Sequence, residues 1–418
     1  MSKARAAGKS AGSPGASPKI GLALAGGGLE GAIYEIGALR ALDEALDGFD
    51  FNDAHIYVGV SAGAFLAACL ANNLTTAQMC RAIVSTEPGE HPFVAETFLT
   101  PAFSRVAGAA GSLPRLLFEA VQDYVARPAE KSFLGSLTRL ARSLPVGLFD
   151  NEPIHRYLER IWSIKGRTDD FRKLGKRLVV VATDLDSGQA VRFGEPGFDH
   201  IPISKAVQAS SALPGIYPPV DIEGRHYVDG VLIKTLHASV ALEAGAELVL
   251  CINPIVPVDT VRARGAGFEG HPNLLSWGLP AVLSQTFRTL IHSRLDIGMT
   301  SYKTKFPNAD VVLFEPDSDD HRMFFTNIFG FSERRAVADH AYRATRRELL
   351  RRAPILGPQL AKHGITLRTD LLEDLDRDLW ESVGPGSGRH ARKDSTSDVA
   401  DRLDSALDRL DAWMDTQN

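Results

Sequence analysis

The sequence has no apolar run close to the roughly 18 residues that a membrane-spanning helix needs. Runs such as LVVVA (178–182) and LVLCI (248–252) have strand length. Cysteine is scarce. Cys69, Cys80 and Cys251 are widely separated in apolar settings, which excludes a disulfide framework or a cysteine metal cluster and reads as buried thiols in a reducing compartment. Charge of neither sign dominates: 46 basic against 51 acidic residues leave a net −5 over 418 residues, so the whole-chain charge carries no nucleic-acid or membrane signature. The opening stretch, MSKARAAGKSAGSPGASPK, lacks the apolar segment of a secretory signal, and its single arginine, Arg5, is too little for a transit peptide. Residues 1–18 read as a disordered basic leader, and the expected location is cytoplasmic.

What is present is an ordinary globular composition, 44% hydrophobic and 23% charged, with length enough for a large core. KIGLALAG (19–26) has the character of a buried strand, followed by Gly26, Gly27 and Gly28. A helix follows, with Ile33, Ile36, Leu39, Leu42 and Leu46 recurring at helical spacing. HIYVGV (55–60) is a second strand ending at Ser61, and AFLAACLANN (64–73) a helix apolar all round and therefore buried. Strand, glycine loop, helix, strand, serine, helix is a βαβα order, which predicts an α/β fold with a mostly parallel central sheet flanked by helices. Further on, FDNEPIHRYLERIW opens a helix capped by Asp150 or Asn151. KRLVVVATDLDSGQAVRFG reads as strand, turn and returning strand. SKAVQASSALPG is a short helix capped by Ser204, and HYVDGV a strand ending at Asp229 and Gly230.

VGVSAGAF (58–65) sets Ser61 between Gly59 and Gly63. A serine hydroxyl attacks only when a base takes its proton and when small neighbours leave it exposed at a sharp turn. The strand before and helix after supply the context of a G-x-S-x-G elbow; a plain tight turn is the competing reading. GGGLEG (26–31) places glycines at the start of a helix, where backbone N–H groups and the helix dipole together meet negative charge. That loop suits either an oxyanion hole serving Ser61 or a dinucleotide turn. The dinucleotide reading wants an acidic residue at the end of the second strand, where this chain has the serine elbow instead. None of the 12 histidines sits in a motif that marks it as a base; His226, His237 and His321 are the nearest candidates. Asp229, followed by Gly230 at a strand end, could take the serine proton directly, although a plain Asp-Gly turn explains the same residues.

GGGLEG, GVSAG about thirty residues later and a late Asp-Gly together resemble the patatin-like phospholipases, and GLFDNEPIHRYLE, VVVATDLDSGQAVRF and ASSALPGIYPPV resemble blocks of that family in the same order. The resemblance covers residues 20–253 and continues more weakly to about 352. It implies a three-layer α/β/α fold and a Ser–Asp dyad. It implies hydrolysis of lipid carboxylic esters, with fatty-acid release from phospholipid or acylglycerol, and neither metal nor nucleotide cofactor. Carried over by motif, Ser61 is the nucleophile, Asp229 the base, and Gly26, Gly27 and Gly28 the oxyanion loop, with Gly59, Gly63 and Gly230 in support. Two positions depart from the family pattern. Glu30 stands where the family usually has Arg or Lys, which points away from anionic head groups; Val231 stands where Gly or Ala is usual. Acyl transfer, hydrolysis of neutral esters or thioesters, and a non-catalytic lipid-binding scaffold are the alternatives on the same fold.

The implied catalytic domain is 19–352; within it, 92–145, rich in Phe and Leu among charges, reads either as ordinary packed helices or as a helical lid over a greasy site. SERRAVADHAYRATRRELLRRA reads as a long basic helix, either solvated or in contact with anionic lipid at a membrane surface. Residues 353–418 read as a polar extension with a linker and a short amphipathic helix carrying Leu403, Leu407, Leu410 and Trp413. The expected partner is a lipid ester rather than nucleic acid, with peripheral membrane contact; the sequence carries no sign of oligomeric state.

Overall fold

The computed structural model describes residues 18–84, 146–265, 275, 278–320 and 331–383. The expected leader, the expected lid at 92–145 and the expected helix around Leu403 to Trp413 lie outside these residues.

Among the described residues an eight-stranded sheet forms the centre. Its order is β6 (Val220–Ile222), β7 (Arg225–Asp229), β4 (Arg177–Asp184), β3 (Ile56–Val60), β1 (Ile20–Leu24), β8 (Leu248–Ile252) and β9 (Asp310–Phe314), with β5 (Ala190–Phe193) also on β4. β4, β3, β1, β8 and β9 run parallel; β5, β6 and β7 enter antiparallel. The mostly parallel α/β sheet expected from the βαβα order is therefore present. Its inner strands are buried on both faces, as parallel strands are when helices cover them.

Strand alternation sends Leu22, Leu24, Tyr57, Val180 and Leu250 to one face. There they pack with α1 (Gly28–Ala45), α2 (Ala62–Ala71), α3 (Glu152–Trp162) and α4 (Ile203–Ser210). Ala23, Val58, Val60, Val181 and Cys251 face the other way, toward α5 (Ala238–Glu243) and α6 (Gly278–Lys305). The three layers follow from this period of two. The 28-residue α6 has no counterpart in the sequence reading. Its buried Ile291, Leu295 and Tyr302 recur at helical spacing, but Gly298 and exposed leucines blur the pattern. Among the described residues no helix is long and apolar enough to cross a membrane.

Local capping differs from expectation in one place. Ser204 lies inside α4, whose N-cap is Pro202. The Ser204 amide and hydroxyl both donate to Asp169, each at 2.6 Å, so the serine ties the helix to a neighbouring loop. At α3 the N-cap is Asn151, but Asp150 Oδ1 accepts the first-turn amide of Glu152 while Asn151 reaches the Pro218 carbonyl.

Regular structure continues past residue 352, the expected end of the catalytic domain. The helix α7 (Phe331–Ala361) runs unbroken through it, past Pro354 and Pro358, and β10 (Thr366–Leu367) pairs with β2 (Leu46–Asp47) beside α1. Leu356, Leu360, Ile365, Leu372, Leu379 and Val383 are buried in the main core. Several arginines of α7 turn inward. Arg334 is fully buried, Arg335 stacks 4.2 Å over Trp380, and Arg352 donates to the Leu313 carbonyl. Arg346 donates to the Leu371 and Asp374 carbonyls and pairs with Glu44. Part of the run thus clamps residues 366–383 onto the domain, while Arg335, Arg347 and Arg351 are exposed. A chain shortened to residue 352 loses those six buried apolar side chains, together worth upwards of about 9 kcal/mol against the roughly 5–15 kcal/mol of a whole domain. It is expected to lose its cooperative thermal transition, measured by circular dichroism.

Candidate active site

Both helix-opening loops emerge at the carboxyl edge of the parallel strands, because β1 and β3 are adjacent and parallel. Val60, at the end of β3, sits opposite Val181 of β4, and Asp229, at the end of β7, sits opposite Ala182, the next residue along the same edge of β4, because β5 occupies the other edge. Ser61, one residue past Val60, and Asp229 therefore meet end to end beside β4. The Ser61 hydroxyl donates to the Asp229 carboxylate there.

Three features hold this contact. Ser61 is the N-cap of α2, with φ 53° and ψ −121°, and its hydroxyl makes no capping bond. A serine at that position ordinarily accepts a first-turn N–H; here the strained backbone turns it toward Asp229 instead. The Ser61 amide donates to Ser210 Oγ at 2.8 Å, and Ser210 Oγ donates to the Val181 carbonyl at 2.6 Å. Asp229 Oδ1 accepts the Val231 amide at 2.9 Å, and its backbone is fixed by the Ala212 carbonyl and the Thr183 hydroxyl.

The glycines around the serine have steric causes. A Cβ on Gly63 would stand 2.4 Å from the Ala25 carbonyl oxygen, and one on Gly59 2.4 Å from Ala64 Cα. Gly63 instead donates its amide to that Ala25 carbonyl at 3.0 Å, locking the elbow to the end of β1. Gly230 crosses the end of β4, where a Cβ would lie 2.4 Å from the Val181 carbonyl oxygen. Only glycine lets Asp229 approach Ser61 by this path.

Gly26 faces Ser61, but its amide donates to the Thr235 carbonyl at 3.3 Å. Gly27 caps α1 and Gly28 is its first residue. Helix-opening N–H groups have no intrahelical partner, so the amides of Gly27 and Gly28 are the donors of the glycine loop. Val231 packs its side chain against Gly26.

These groups line a cavity of about 380 Å³, within the size range of small-ligand sites. Its walls are mainly apolar, with Phe65, Ile154, Leu158, Leu213, Tyr217 and Phe287 among them. Burial pushes the Asp229 carboxyl up to about 7, against the opposing hydrogen bonds of Val231 and Ser61. Among the described residues no histidine lines the cavity. His237 is buried and held neutral, pushed down to about 3 by burial; His226 is exposed and bonded to Asp186; His321 lies outside the described residues. Burial also holds the thiols of Cys69 and Cys80 protonated, up to about 12. Glu30 is not on the cavity wall. It turns toward Arg288 of α6, with Oε2 3.9 Å from the guanidinium, and Arg288 is among the described residues that line the cavity. The sequence reading passed over this cation, since nothing local marks Arg288.

Asp229 carries a stability cost with a definite sign. Its folded-state value lies above the ordinary 3.8, so the native state holds a proton that the unfolded chain gives up between about 4 and 7. Its contribution to stability is lost as pH rises through that window. Asp229→Asn is expected to raise the melting temperature relative to wild type at pH 8, by an equivalent on the order of 4 kcal/mol. The gap should close toward pH 4 in paired thermal scans.

A model of the patatin-like phospholipase family matches residues 22–242. Among solved structures, VipD from Legionella pneumophila is similar at 16% identity, over 80% of this chain and 67% of its own, with a TM-score of 0.36. The type III effector ExoU is similar at 14% identity over 81% of this chain and 53% of its own, TM-score 0.34. A chain of the ExoU–SpcU heterodimer from Pseudomonas aeruginosa is similar at 21% identity over 48% and 38%, TM-score 0.24.

Proposed function

We propose that this chain, which belongs to the patatin-like phospholipase family, is a serine acyl hydrolase of lipid carboxylic esters working through Ser61 and Asp229. The observation that carries this reading is a serine hydroxyl bonded to a buried carboxylate inside an apolar cavity, beside helix-opening amides. Asp229 takes the Ser61 proton as Oγ attacks the ester carbonyl carbon. The oxygen that gains the negative charge is met by the amides of Gly27 and Gly28 and by the positive end of α1. As the tetrahedral intermediate collapses, the C–O bond to the alcohol breaks and Asp229 returns its proton to the leaving oxygen. Water then attacks the acyl-Ser61, Asp229 takes its proton, and the fatty acid leaves as Ser61 is reprotonated. A base near neutrality suits both transfers, because the best catalytic proton carrier has a pKa close to the working pH. An alcohol in place of water in the second half would make the same site an acyltransferase; product analysis separates the two.

Ser61→Ala and Asp229→Asn are each expected to lower kcat at least about 10³-fold on a chromogenic short-chain ester while leaving the thermal transition cooperative. Either variant keeping near wild-type kcat would remove its residue from the mechanism. In the wild type, kcat/KM should rise with pH as Asp229 ionises, level off above about 7, and fall tenfold per unit well below it; a flat profile from pH 5 to 8 excludes Asp229 as the base.

The outward face of α6 supports contact with a lipid surface. Leu279, Leu283, Leu290 and Ile297 are all exposed and lie within about 40° of one another at about 100° per residue. The same helix brings Ser284, Phe287 and Arg288 to the cavity, so docking this stripe would bring the cavity close to the lipid. Leu283→Glu combined with Leu290→Glu is expected to abolish co-sedimentation with zwitterionic phosphatidylcholine vesicles; unchanged binding would exclude this face.

A further inference from the structure

Glu35 is a fully buried acid that the proposed reaction does not use. It stands two turns into α1, and helix side chains lean toward the N-terminus of their helix. Its carboxyl thus reaches back past the glycine loop to the end of β1, where Oε1 accepts the Ala25 amide at 2.9 Å. That amide also donates to the Ile252 carbonyl of β8 at 3.1 Å. The other carboxyl oxygen, Oε2, is buried and takes part in no hydrogen bond among the described residues. Burial pushes the Glu35 carboxyl well above the ordinary carboxylate range, so it is held as a neutral acid. An apolar side chain of similar size would leave no polar atom unsatisfied there and would pack at lower cost. Satisfying the Ala25 amide does not account for the acid, because Ile252 already does so.

Its place in the fold does. Ala25 is the residue at which the two helix-opening loops join. On its carbonyl side it accepts the amide of Gly63, in the first turn of α2, at 3.0 Å. On its amide side it meets Glu35, and Gly26, Gly27 and Gly28 follow it directly. Glu35 therefore closes a ring made of Ala25, the glycine loop and the first two turns of α1, and through Ala25 that ring is fastened to the serine elbow. We propose that Glu35 is a positioning residue, which through Ala25 sets the aim of the Gly27 and Gly28 amides relative to Ser61. The inference rests on the Ser61 reading for what those amides serve, but the tie itself is a contact that can be read without turnover. In this role the acceptor oxygen matters and the acidic proton does not. A carboxylate ionised at this place would oppose negative charge gathering at the start of α1.

The test uses the full chain with Glu35→Met, which fills the space with an unbranched apolar side chain, and Glu35→Gln, which keeps the acceptor oxygen. On a chromogenic short-chain ester, Glu35→Met is expected to lower kcat at least about tenfold with KM changed less than about twofold, as misaimed transition-state donors do. Glu35→Gln should bring kcat back to within about threefold of wild type. The melting temperature of Glu35→Met should equal or exceed that of wild type, because a buried unsatisfied oxygen has been removed. Turnover lost while stability is kept separates positioning from a general weakening of the fold. Wild-type kcat in Glu35→Met overturns the proposal, as does a melting temperature that falls together with kcat, or a Glu35→Gln variant as slow as Glu35→Met. Amide hydrogen exchange, followed by mass spectrometry, reads the tie without chemistry. Peptides covering Ala25 and Gly63 should exchange at least about tenfold faster in Glu35→Met and at the wild-type rate in Glu35→Gln; equal exchange in all three proteins overturns the assignment. If wild type hydrolyses no ester, the Ser61 reading fails, and the exchange arm still decides whether Glu35 holds the junction.

Discussion

The candidate site depends on the backbone carbonyl of Val181 at the end of β4. It accepts the Ser210 hydroxyl, which in turn accepts the Ser61 amide, and it sets the steric limit that only Gly230 can pass. One peptide oxygen thus fixes both the serine and the approach of the aspartate. Because β4 is paired on both edges, to β3 and then β7 along one and to β5 along the other, that oxygen moves only if the centre of the sheet moves. Rigid sheet positions hold reactive groups more closely than loops do, and here the two loops meet over a single strand end.

The same placement determines the chemistry of Asp229. An exposed aspartate is a weak base at neutral pH; burial raises this one to about 7 at the expense of stability above that pH. The wall that raises it is the wall that would hold an acyl chain, so substrate binding and base strength share one physical cause, exclusion of water. His237, a few residues away in sequence, is acted on by the same burial in the opposite sense and stays neutral, since desolvation always favours the uncharged form.

Charge elsewhere is used for assembly. Arg40 of α1 donates to the Ser382 carbonyl and Arg81 to that of Val383, while Arg346 takes two carbonyls further up the same segment. Guanidinium groups suit this work because their several donors can satisfy carbonyls left open at the ends of short helices. Arg346, part of a run that reads as surface charge, is therefore a core fastener. Arg288 differs from them in lining a cavity.

The sequence by itself determined the local pieces: the strand–glycine–helix and strand–serine–helix order, the small residues around Ser61, and the Asp-Gly at the end of β7. These were legible because each depends on neighbours in the chain, through periodicity, turn sterics and helix capping. Tertiary structure alone decided which pieces meet. Asp229 comes to Ser61 through the register of β4, and the amide of Gly26 is taken by Thr235, leaving Gly27 and Gly28 as donors. Glu30 is turned from the cavity toward Arg288 of a helix more than 250 residues later in the chain, and Arg334 and Arg346 of α7 fold inward. Such contacts leave no local trace, because a side chain's partner across the core is set by packing geometry and not by sequence spacing.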